Sequence, residues 1–127
     1  MRWISKSQIL VLHDDIVSEF GGKIGVRDES LLDSALGAPF HTFGGKDLYP
    51  DVVEKSARLA YGVIRNHPFY DGNKRIGLHL MLLFQKLNGI GIEYKGKEVV
   101  ELIVSVASGQ TDEEGLYGWV KDHIQRK

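Results

Sequence analysis

Apolar positions along the chain recur mostly at spacings of three and four, the period of one face of a helix. From Ser5 to Phe20 the residues Ile9, Leu12, Ile16 and Phe20 follow that spacing, and Gly21-Gly22 interrupts it, which predicts a first helix. Asp28 can accept the free amides of a second, short helix carrying Leu31, Leu32, Ala35 and Leu36, which Pro39 is expected to close. Residues 40–50, FHTFGGKDLYP, have no helical period, turn at Gly44-Gly45 and carry aromatic residues where a loop is ordinarily polar. A short hairpin or flap is expected there. Asp51 is placed to cap a third helix with Val52, Ser56, Leu59, Ala60 and Val63 on one face. That helix has to end near His67, because the residue before Pro68 avoids helical dihedrals.

The next apolar run, from about Asp71 to Asn88, places Ile76, Leu80, Leu83, Phe84 and Leu87 on one face and Leu78, Met81 and Leu82 elsewhere. A helix that is apolar nearly all round is expected at the centre of the fold. Asn88-Gly89 reads as its stop signal, IGIEY over 90–94 as a short strand, and Glu98 to Ala107 as a valine-rich helix. Thr111 and Glu114 read as a capping box ahead of Leu116, Trp119, Val120 and Ile124. The pattern predicts an all-α fold, a compact bundle of about six helices around a central buried helix, with a short flap.

Composition narrows the partners. At 127 residues, 43% hydrophobic and 26% charged, residues 1–127 are expected to form one domain that buries its core without metal or disulfide. Sixteen Lys and Arg against seventeen Asp and Glu give a net charge of −1 and no field that would gather nucleic acid or an anionic membrane. The absence of cysteine excludes a disulfide scaffold and a Cys-ligated metal, and fits a reducing compartment. The start MRWISKSQ lacks a secretory apolar core, and the longest apolar stretch, around Met81, is about half the ~20 residues of a membrane span. A cytoplasmic protein is expected.

Candidate chemistry is concentrated in HPFYDGNKR, His67 to Arg75. With Asp71, Gly72 and Asn73 at the first turn of the buried helix, unpaired amides and the positive end of the helix dipole form an anion site. Gly72 has no side chain to keep a phosphate from the backbone, Lys74 adds charge, and Arg75 can grip two oxygens at once, a set suited to a nucleotide polyphosphate. Such phosphates arrive with magnesium, which takes one or two carboxylates, and Asp71 is the carboxylate in reach. His67 can take a proton from an attacking hydroxyl across the Pro68 turn, while Phe69 is expected to point into the core. A helix-terminal histidine or a capping aspartate alone is commonplace; capping explains neither the Gly-Asn pair nor an upstream histidine.

Other candidates carry less. His79 shares a drifting stripe with Asp71 and Arg75 and is expected to be partly buried on a neighbour rather than a wall of the site. His13, Asp14 and Asp15 look like a metal cluster, but adjacent helical positions diverge by about 100°, so they read as surface and edge residues. Tyr117 and Trp119 read as core and rim packing. A metal-dependent phosphohydrolase built on His67, Asp71 and His79 lacks a closely spaced ligand set. A non-enzymatic binding module of the same fold is disfavoured because both base and metal ligand are present.

HPFYDGNKR resembles the signature of the Fic/Doc superfamily, and the segments LHDDIVSEFGG, RDESLLDSAL, DLYPDVVEKSARLAYGVIRNHPF and LLFQKLNG resemble its small death-on-curing (Doc) branch. The resemblance implies ATP with magnesium and transfer of part of the nucleotide to a hydroxyl of a target protein. It implies His67 as the base, Asp71 as the magnesium ligand and Gly72, Asn73, Lys74 and Arg75 as phosphate contacts. Phe43, Gly44, Gly45, Lys46, Asp47 and Leu48 would be the flap that lays the target beside the site. AMP-transferring relatives commonly have a second glycine where Lys74 stands and a second arginine where Leu78 stands; these departures favour a kinase over AMP transfer. An inhibitory helix of the type many relatives carry is not matched at any glutamate, so restraint by a separate antitoxin chain is implied. The implied target is translation machinery, elongation factor Tu in particular.

Overall fold

The computed structural model describes residues 1–124. Helix α1 (Lys6–Phe20) opens on a capping box, with the Ser5 amide donating to Gln8 Oε1 at 2.9 Å, and stops at Gly21. It buries Ile9, Val17 and, against expectation, His13, which is only 1% exposed. Positions 9, 13 and 17 form one i, i+4 stripe, so the histidine goes where that stripe goes. Its neighbours Asp14 and Asp15 are exposed as expected.

Helix α2 (Glu29–Gly37) is capped by Asp28, whose carboxylate accepts from the Leu31 amide at 3.0 Å. The α-helix stops at Gly37, ahead of Pro39 as expected, and the path continues as a 3-10 turn, Ala38–Phe40, with Pro39 in its first turn, where a missing amide goes unnoticed. The expected hairpin follows as β1 (Thr42–Phe43) and β2 (Lys46–Asp47), antiparallel with Thr42 opposite Asp47. Gly44 and Gly45 both have positive φ, 59° and 78°, as the twist of a two-residue hairpin turn requires. Lys55, 4% exposed, pins the two ends of this loop: its ammonium donates to Pro39 O at 3.1 Å and Tyr49 O at 2.5 Å and lies 3.6 Å from the Asp47 carboxylate.

Helix α3 (Val52–Asn66), capped by Asp51, and helix α4 (Asn73–Leu87) form the central antiparallel pair. Their backbones close in at small residues; a Cβ added at Gly77 would stand 2.8 Å from Ile64 Cγ1. One core lies on each side of the pair. Ile9, Leu32, Leu59, Val63, Ile76, Leu80 and Phe84 fill the first, while Val53, Ala57, Ile64, Met81, Leu102, Val106, Leu116 and Val120 fill the second. This division explains why α4 is apolar nearly all round, and α3, with nine buried residues to seven for α4, shares the centre.

Helices α5 (Gly96–Ser108) and α6 (Glu113–Asp122) close the second core. Residues 90–94 do not form the expected strand: Ile92 makes one isolated bridge to Ile124, with the Glu93 amide on His123 O at 2.8 Å. A single bridge to a segment just past α6 extends no ladder. The cap of α6 is Asp112, accepting from Gly115 N at 2.8 Å, and not Thr111, whose hydroxyl is taken by Ser105. Trp119 is half-buried and stacks on His123 at 3.8 Å. No described helix is long and apolar enough to cross a membrane.

Candidate active site

At the end of α3 the chain turns through His67, which has φ 53° and ψ 54° and is the one non-glycine residue with positive φ among the described residues. Arg27 holds the turn. Its Nε donates to His67 O at 2.8 Å and its Nη2 to Asn66 O at 3.1 Å, covering carbonyls that the helix end leaves open. The Arg27 and Asp28 amides both reach Pro68 O, at 2.7 and 3.1 Å, and Tyr70 N reaches Gly25 O at 3.3 Å. From the other side Asn73 clasps the loop: its Oδ1 accepts from Phe69 N and its Nδ2 donates to Phe69 O, both at 3.0 Å. Phe69 is fully buried in the first core, as expected.

Helix α4 begins two residues later than expected, at Asn73, with Gly72 as its cap in the left-handed region at φ 76°. A side chain there would be strained by the positive φ, so Gly72 serves the turn as well as access to the backbone. The first helical bond runs from Ile76 N to Gly72 O at 2.9 Å, leaving the amides of Asn73, Lys74 and Arg75 ahead of the ladder at the positive end of the helix. Asp71 stands just outside. One oxygen of its carboxylate accepts the Lys23 amide at 2.6 Å, and its backbone carbonyl is bonded to His13 Nε2 at 2.8 Å.

An open cleft of about 760 Å³ gathers His67, Asp71, Gly72, Asn73, Lys74 and Arg75. Six sequence-predicted residues thus share one concavity. Asn73 joins with its backbone, since both ends of its side chain are engaged on Phe69. Lys74 and Arg75 are exposed, and the Arg75 guanidinium lies 4.2 Å over the Phe20 ring. Opposite stands a wall that the sequence reading did not foresee: Val100, Ile103, Val104 and Ala107 of α5, with Arg65 donating to Ala107 O at 2.9 Å. Val100 and Val104 are 60% and 53% exposed, and their i, i+4 apolar spacing opposite the buried face was the available signal.

His79 is exposed on α4 and does not line the cleft, contrary to the partly buried environment expected of it. The flap residues Phe43, Gly44, Gly45, Lys46, Asp47 and Leu48 are also absent from its lining. Their anchor, Lys55, precedes His67 by twelve residues, about 18 Å of helix rise. Among the described residues no three His, Asp or Glu side chains gather as a ligand set, which removes the His67, Asp71 and His79 phosphohydrolase site. A lone hard carboxylate beside exposed helical amides suits magnesium, which draws its remaining ligands from phosphate and water.

A family model described as the Fic/DOC family matches residues 3–85, a span holding α1 to α3, the loop with its clasp, and nearly all of α4. The chain belongs to the Fic/Doc family. Among similar proteins, "Protein kinase doc" of Escherichia phage P1 is 32% identical over 110 residues, covering 87% of this chain and 86% of the relative. "Toxin Doc" of Mycolicibacterium smegmatis is 34% identical over 99 residues, covering 76% of each. Helix α5, the far wall of the cleft, lies beyond the residues that the Fic/Doc family model matches.

Proposed function

We propose that this Fic/Doc chain transfers the γ-phosphoryl group of ATP to a hydroxyl of a target protein, and that it acts as the toxin of a toxin–antitoxin pair. The observation that carries the reading is the convergence of His67, Asp71, Lys74, Arg75 and the free amides of α4 on one cleft. The amides of Asn73 to Arg75 and the two cations bind and orient phosphate oxygens. His67 receives the proton of the target hydroxyl as its oxygen bonds to the γ-phosphorus, and the bond to the β–γ bridging oxygen breaks, releasing ADP. A magnesium ion held by Asp71 would supply charge neutralisation to the phosphates. Lys74 and Leu78 line the cleft at the positions where, by the resemblance, AMP-transferring relatives commonly have glycine and arginine, which supports γ-phosphoryl transfer, as does the similarity to a protein named a kinase.

The similarity to a protein named a toxin supports restraint by an antitoxin on a separate chain. The target is proposed to be a translation factor, with elongation factor Tu the first to test. Incubation with magnesium, a cell lysate and ATP labelled at either the α or the γ phosphate distinguishes the reactions. Transfer of γ label to protein, abolished in His67→Ala, is expected. Transfer of α label establishes AMP transfer instead, and a His67→Ala variant that is as harmful to cells as the parent establishes a binding module.

A further inference from the structure

We infer that His13 of α1 is a positioning residue for Asp71, an inference that rests on the proposed role of Asp71 in magnesium–nucleotide binding. The imidazole is a buried polar group with no part in the phosphoryl transfer described above, yet two of its contacts fall on the loop that carries Asp71. Its Nε2 bonds to Asp71 O at 2.8 Å; a carbonyl can only accept, so Nε2 carries the hydrogen. Its ring lies parallel to Phe69 with centroids 3.7 Å apart and 13° between planes. Gly72 sits so close that an added Cβ would be 3.5 Å from Nε2. One side chain from a distant part of the sequence therefore holds residues 69 and 71 together, with Gly72 alongside.

The exit of α1 completes the holder. Lys23 N gives its hydrogen to Asp71 Oδ2 at 2.6 Å, and Gly22, with φ +121°, passes so near that a Cβ there would meet Asp71 Cβ at 2.8 Å. With the main-chain carbonyl fixed by His13 and one carboxylate oxygen fixed by Lys23, the second oxygen is aimed by the protein before any cation arrives. Groups that orient a metal ligand in this way change metal affinity or activity by about 10–100-fold when removed. The segment from His13 in α1 to Lys23 just beyond it is, on this reading, part of the site's construction as much as of the core.

The test uses the full chain with His13→Leu, which removes the donor, His13→Gln, whose amide can restore it, and Gly22→Ala, which displaces Asp71 while leaving His13 in place. Amide hydrogen exchange without nucleotide reads the Lys23 amide directly. It is expected to exchange at least about tenfold faster in His13→Leu and Gly22→Ala, and near the parent rate in His13→Gln. Calorimetry of magnesium–ATP uptake is expected to show about 10–100-fold weaker magnesium dependence in His13→Leu and Gly22→Ala, with recovery in His13→Gln. Should His13→Leu not fold, Gly22→Ala and His13→Gln carry the comparison. A folded His13→Leu with Lys23 exchange and magnesium dependence at parent values overturns the inference, as does a His13→Gln no better than His13→Leu. If the parent protein takes up no magnesium–ATP while the exchange pattern holds, the proposed function falls and the positioning of Asp71 stands.

Discussion

Asn73 is the residue on which the motif loop depends most directly. Both polar ends of its buried side chain are engaged on Phe69, so truncation strands an amide and a carbonyl in a dry place. Each orphaned group costs roughly 1–3 kcal/mol, and Asn73→Ala is expected to lose about 2–4 kcal/mol in urea denaturation along with transfer activity. Asn73→Asp keeps the acceptor for Phe69 N and is expected to lose less. Lys55 plays the same part for the hairpin, donating to carbonyls at both ends of the 40–50 loop. Lys55→Met keeps the bulk and removes the donors. Limited proteolysis of that variant is expected to cut between 40 and 50 at least about tenfold faster than in the parent, reflecting a local opening free energy lowered by about 1.4 kcal/mol or more.

Helices α3 and α4 approach each other closely where glycine stands at the crossing. Gly77→Ala gains up to about 1 kcal/mol of helix propensity but drives a methyl into Ile64, an overpacking cost of roughly 1–3 kcal/mol. A net loss of about 1–2 kcal/mol is expected by thermal or chemical denaturation, larger than for Gly96→Ala at the open start of α5, where an added Cβ meets nothing. Element types and order were readable because strong local signals, the caps at Ser5, Asp28 and Asp51 and the αL glycines of the hairpin, coincide with apolar periodicity. Where two local signals compete, tertiary contacts decide. Ser105 takes the Thr111 hydroxyl and leaves the α6 cap to Asp112, while residues 90–94 have beta-branched character but one bridge to extend it. The motif announced the near wall of the cleft, since its nine residues are consecutive. His13 lies 58 residues from Asp71 in sequence, Arg27 lies 40 from His67, and the α5 wall lies beyond the end of α4; spacing along a chain holds no information about which loops meet.

Across the whole molecule, charge nearly cancels, at −1, so attraction for phosphate is local to the cleft, where Lys74, Arg75 and Arg65 gather. Stability, in contrast, is a property of the entire chain, and His67 draws on it. Left-handed backbone costs a non-glycine residue roughly 1–2 kcal/mol, a burden the two packed cores and Arg27 must carry so that an imidazole can stand at the cleft. His67→Gly is expected to raise stability by about 1 kcal/mol, or roughly 3–5 °C in melting temperature, while abolishing transfer; His67→Ala is expected to abolish transfer without that gain. Selection for sheer durability would therefore erase the histidine. A population freed from any need for the proposed activity should therefore drift toward glycine at this left-handed turn, trading chemistry for a hardier inert protein.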